Sequence, residues 1–85
     1  MNMNNLERFK TILTDQYTQL FETPDYAMAK SRYTPEGLAH KMTIGLHAGT
    51  ADKDGEGIKR TCKALGIKHT YKAIREYLDK PEVTK

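Results

Sequence analysis

The chain predicts an all-α fold: a compact four-helix domain whose C-terminal half has the outline of a helix–turn–helix. Three observations carry this. Apolar residues recur at three- and four-residue spacing in four separate segments. Each segment is bounded by residues that start or stop helices, Thr-Pro and Gly foremost. No run alternates apolar and polar residues as a half-buried strand does. Helices are expected at about 5–22, 35–48, 55–65 and 71–79 of one domain spanning residues 1–80, with 81–85 as a frayed tail.

In the first helix Leu6, Phe9, Leu13, Tyr17 and Leu20 form the apolar stripe, widened by Ile12 and Phe21. Thr23-Pro24 ends it, because proline cannot continue the hydrogen-bond ladder and restrains the residue before it. Residues 23–33, TPDYAMAKSRY, are irregular, but Tyr26, Met28 and Tyr33 are too apolar for a free linker. This segment is expected to cross the helices, with room for a short helical turn.

Thr34-Pro35-Glu36 is a helix start in which Thr caps, Pro suits the first position and Glu complements the positive end of the dipole. Leu38, Met42 and Leu46 follow at four-residue spacing, and Gly49 stands where a left-handed terminal residue is wanted. Asp54 is placed to cap the third helix, which carries Ile58, Thr61, Cys62 and Leu65 inward and stops at Gly66. Thr70 caps the fourth, with Tyr71, Ile74, Tyr77 and Leu78 facing in, until Lys80-Pro81 closes it. Phe9, Leu13, Leu38, Met42, Ile58, Leu65, Ile74 and Leu78 are the expected shared core.

A chain of 85 residues holds one small core. Folding at this size buries only about 60–65% of the unfolded surface, so binding a partner or a second copy would add useful stability. No apolar run approaches the roughly 20 residues that span a bilayer. The opening MNMNNLERFK has no apolar leader, and Cys62 is the single cysteine, so an internal disulfide is excluded and a cytoplasmic setting is expected.

The formal charge of +3 is unevenly spread. Between Ile58 and Lys80 seven cations (Lys59, Arg60, Lys63, Lys68, Lys72, Arg75, Lys80) face two acids, Glu76 and Asp79, giving +5 there and −2 elsewhere. A basic end on a near-neutral body is the pattern of a protein that meets phosphates; a solvated face is the plainer reading.

The acidic loop 51–57, ADKDGEG, matches a calcium loop only at its start. Asp52, Asp54, Glu56 and Gly57 fall at the first, third, fifth and sixth positions, but Lys63 stands where the bidentate glutamate belongs. Calcium is therefore not expected, and the acids are read as helix-start residues. His40 and His47 lie two turns apart, about 10.5 Å along the axis, too far to share a metal by themselves, and with Thr43 they read as a polar face. Cys62 reads as a small core residue, although Lys59 and Lys63 would lower its pKa if it were exposed. His69, in a turn between two basic helices, has two roles open to it, donating to a phosphate or to a carbonyl. No catalytic constellation or cofactor motif stands out, so an enzyme is not expected.

In a DNA-binding helix–turn–helix a small residue is followed four positions on by the glycine that opens the turn, then by an apolar residue. Cys62, Gly66 and Ile67 fill those places, and Tyr71, Ile74 and Leu78 would pin the second helix one residue early. The candidate contact residues are Lys59, Arg60, Lys63, Lys68, His69, Lys72 and Arg75, with Arg75 able to read a guanine edge. Glu76 and Asp79 would blunt them by pairing with Lys72, Arg75 and Lys80.

The segment DGEGIKRTCKALGIKHTYKAIREYL resembles a C-terminal stretch of small uncharacterised proteins of phages and prophages, over residues 52–78. The resemblance implies a phage accessory protein that acts inside a bacterium by binding, and it assigns no site residues. Two functions are carried forward: a nucleic-acid-binding module using the basic face, or an inhibitor that docks on a host or defence protein complex of the anti-CRISPR kind. A homodimer burying Tyr26 and Tyr33 is the structural alternative.

Overall fold

The computed structural model describes residues 4–80; the expected tail at 81–85 lies outside them. The fold is all-α. Its helices are α1 (Asn5–Leu20), α2 (Ala27–Arg32), α3 (Pro35–Ala48), α4 (Glu56–Leu65) and α5 (Tyr71–Asp79), with a 3-10 turn at Pro24–Tyr26 ahead of α2. Helix α1 is the central element: α3, α4 and α5 all pack on it, and α5 also leans on α3. The extra helix α2 comes from the irregular stretch and rests on the 3-10 turn.

The predicted punctuation accounts for most boundaries. Thr34 Oγ1 accepts from the Gly37 amide and Thr70 Oγ1 from the Ala73 amide, capping α3 and α5. Gly49 and Gly66 end α3 and α4 at φ 82° and 72°, a region open to glycine and costly for other residues. Helix α1 stops at Leu20, before the expected 22, because Thr23 turns back and donates its hydroxyl to the Leu20 carbonyl. Asp54 does not cap α4. Gly55 holds that position without a side-chain bond, while Asp54 pairs with Lys53 and its amide donates to Asp52 Oδ1 at 3.0 Å.

The core unites Phe9, Leu13, Tyr17, Leu20, Phe21, Leu38, Ala39, Leu46, Ile58, Cys62, Ile74 and Leu78. Met42 and Leu65, expected within it, are half-buried and pack against its edge. Thr43, expected on the polar face, is fully buried. The reason is that α3 meets two helices, α1 and α5, so its buried arc is wider than the single line Leu38–Met42–Leu46. Tyr26 leaves the expected dimer surface to join an aromatic cluster with Tyr17 and Phe21, its ring centroid 6.2 Å from each.

Gly57 lets α4 approach α1. A Cβ there would lie 2.6 Å from Cε1 of the buried Tyr17 ring, so only the bare backbone fits. A cross-chain bond closes the ends: Asn5 Nδ2 at the start of α1 donates to the Tyr77 carbonyl near the end of α5, at 3.0 Å.

Candidate nucleic-acid interface

The candidate contact residues lie on α4, the connection at 66–70, and α5. In α4 the buried side is Gly57, Ile58, Thr61 and Cys62, which fixes Lys59, Arg60 and Lys63 outward. In α5 the buried residues are Ile74 and Leu78, which puts Lys72 and Arg75 outward with Glu76 and Asp79. Lys68 is exposed in the connection, and His69 is half-buried.

The acids do not neutralise this face as expected. Asp79 turns to α3, its Oδ1 2.5 Å from Nε2 of His47. Among the described residues Glu76 makes no ion pair, and neither do Lys59, Lys63, Lys68, Lys72 or Arg75. Among the described residues, only Arg60 of the candidate cations is paired, one turn along α4, with Glu56 at 2.9 Å. Five exposed ammonium and guanidinium groups thus have no carboxylate partner among the described residues.

What orients α5 is not α4. Contact between these two helices is slight, since each is held by α1. The N-terminal end of α5 is tied instead to the loop before α4, through Lys53. His69 Nε2 lies 2.6 Å from the Lys53 carbonyl oxygen. A carbonyl can only accept, so this nitrogen carries the proton, and of the two roles open to His69 the structure has the carbonyl one. The Lys53 amide donates to the Tyr71 hydroxyl at 3.3 Å, and the Lys53 ammonium lies 5.4 Å from the Tyr71 ring centroid. Tyr71 was expected inside; it is 43% exposed, drawn sideways by these contacts.

The Lys53–Asp54 contact, 2.8 Å, raises the lysine pKa and lowers that of the carboxyl, chiefly through their hydrogen bond. Cys62 is nearly inaccessible, and burial pushes its thiol up to about 11, so Lys59 and Lys63 do not activate it. His40 is exposed on an open groove between α1 and α3, lined also by Lys10, Thr14, Asp15, Glu36 and Gly37. Among the described residues no three His, Cys, Asp or Glu side chains gather closely enough to hold a metal ion. No described helix is long and apolar enough to cross a membrane.

Reading the sequence missed Asn5, Lys53 and the His47–Asp79 pair. Each works through a partner 16 to 72 positions away, a separation at which helical spacing carries no signal. The chain matches no family model, no curated protein and no solved structure.

Proposed function

We propose that this small helical module binds nucleic acid through the outer faces of α4 and α5. The observation that carries the reading is the set Lys59, Lys63, Lys68, Lys72 and Arg75: exposed, and without an ion pair among the described residues. Surface cations in a protein of mixed charge are commonly matched by nearby acids, and here acids are at hand in Glu76 and Asp79. Asp79 is instead engaged with His47, and Glu76 makes no ion pair among the described residues. Lysines and an arginine so placed suit phosphate contacts, which position a nucleic acid without reading its sequence.

The test is direct titration of labelled duplex and single-stranded DNA at rising salt. Each neutralised phosphate releases counterions, so four contacts would give a log–log slope near −3.6 on a duplex and about −2.8 on a single strand. No binding of either form at micromolar protein and about 50 mM salt would reject the reading.

A second reading has its own support. Met28 is 70% exposed on α2, a helix that packs mainly on the preceding turn and touches the core through Ala29, with Tyr33, Lys30 and Arg32 nearby in sequence. An exposed apolar side chain beside cations suits an acidic protein surface, as the inhibitor of a host or defence complex would need. Co-purification that survives nuclease treatment in the parent protein and is lost in Met28→Glu would favour it over the first.

A further inference from the structure

Tyr71 opens α5 among basic residues of the chain and is exposed. It follows Lys68 in the chain, precedes Lys72 directly, and keeps 43% of its surface open. Its ring is held in place from one side: the hydroxyl accepts from the Lys53 amide, and the Lys53 ammonium stands 5.4 Å from the ring centroid. Lys53 is itself anchored by His69 at its carbonyl and by Asp54 at its ammonium. An exposed aromatic ring that is already fixed loses little rotamer freedom on contact with a base.

We propose that the partner class is single-stranded nucleic acid, with Tyr71 as the surface on which a base stacks. This rests on the nucleic-acid reading above. Proteins that bind single strands combine cations that track the backbone with aromatic rings that take the bases, and Lys68, Tyr71 and Lys72 provide both within five residues of the chain. A duplex hides its base faces inside the stack, so an exposed tyrosine gains nothing there.

The outer face of α5 points the same way. Residues three and four apart share one side of a helix, so Glu76 and Asp79 lie on the same strip as Lys72 and Arg75. A helix laid along a duplex groove would carry those carboxylates between two walls of phosphates. A strand that crosses only the N-terminal end of α5 passes Lys68, Tyr71 and Lys72, and avoids Glu76 a turn further on. The slight contact between α4 and α5 also departs from the mutually packed helix pair that docks in a major groove.

The experiment uses the full chain and three fluorescent probes of equal length, about 12 nucleotides: oligothymidylate, the same backbone without bases, and a duplex. Tyr71→Ala should weaken oligothymidylate binding about 5- to 100-fold, and Tyr71→Phe should restore it to within about threefold, because the ring stacks without its hydroxyl. The abasic strand should bind more weakly than oligothymidylate and should not respond to Tyr71→Ala. Equal loss on the abasic strand would mean that Tyr71 only shapes the corner, and would overturn the inference. So would a duplex bound as tightly as the single strand. Failure of the parent protein to bind any probe would instead reject the nucleic-acid reading itself.

Discussion

His69 donates from Nε2 to the carbonyl oxygen of Lys53 across 2.6 Å, and this bond fastens the turn before α5 to the loop before α4. Because α4 and α5 barely touch, the bond and its neighbour from Lys53 to Tyr71 hold one end of α5. The other end is held by Asn5 at the Tyr77 carbonyl and by His47 at Asp79. Bonds at both ends therefore fix α5, the helix that carries Lys72 and Arg75.

His69→Ala should destabilise the domain by about 0.5–1.5 kcal/mol, the usual net worth of a hydrogen bond whose acceptor water can reach in the variant. His69→Gln keeps an N–H donor of similar reach and should recover much of the loss. Urea unfolding of the three proteins would check this. Equal stability in all three would show that the bond adds nothing.

Gly57→Ala should destabilise the domain, against the usual trend. In an open helix the change favours folding by roughly 0.5–1 kcal/mol, because glycine gives up more backbone freedom. Here the added methyl would stand 2.6 Å from the buried Tyr17 ring. Overpacking in a filled core costs about 1–3 kcal/mol, which exceeds the helix gain. A lower urea midpoint with an unchanged m-value is the expected result. A raised midpoint would show that the α1–α4 contact yields easily.

The elements most legible in the sequence were those governed by neighbours three or four residues apart. Thr34, Thr70, Gly49 and Gly66 mark helix ends as local chemistry dictates, and the core stripe of α1 follows from spacing alone. Thr43 and Tyr71 did not follow their local pattern, because tertiary partners decide them: a second packing helix for Thr43, and Lys53 for Tyr71. Helix α2 was only hinted at, since six residues are too few for an amphipathic period to register. The outward cations of α4 and α5 were readable from the wheel. Their lack of partners was not, because Asp79 could be assigned to Lys72, Arg75 or Lys80 until α3 was seen to bring His47 against it.

Stability should fall as pH rises above about 9, and buried Cys62 is a principal cause. Its thiol is held at about 11 in the folded protein, against an ordinary value near 9.0, because burial disfavours the thiolate. Below the ordinary value both states keep the proton and the full stability is present. Between the two values the unfolded chain loses its proton and the folded chain does not, so about 2–3 kcal/mol drains away. Tyr17, also raised by burial, adds a loss of the same sign at higher pH. Cys62→Ala should flatten the decline between pH 9 and 11 seen in urea midpoints. An identical slope in that variant would remove the thiol from the account. In the native protein the same thiol should react slowly with disulfide reagents at pH 8, and readily once urea unfolds the chain.

Charge reversal should separate the basic face from the rest of the surface. Lys63 on α4 and Lys72 on α5 are exposed and make no ion pair among the described residues. Lys41 is also exposed, on α3 rather than α4 or α5, and serves as the control. Each reversal changes the net charge equally, so a protein that attracts DNA only by its overall charge would weaken equally in all three. A built interface responds by position. Lys63→Glu or Lys72→Glu should weaken single-stranded DNA binding at least tenfold at about 50 mM salt and reduce the log–log salt slope by about 0.7 or more. Lys41→Glu should change affinity less than about threefold, the small effect expected of a charge that does not touch the strand, with salt screening over about 10 Å. The readout is anisotropy of a labelled strand across a salt series, with circular dichroism of each variant to establish that the helices are intact. A loss in Lys41→Glu that matches the other two would show that α4 and α5 hold no special place on the surface.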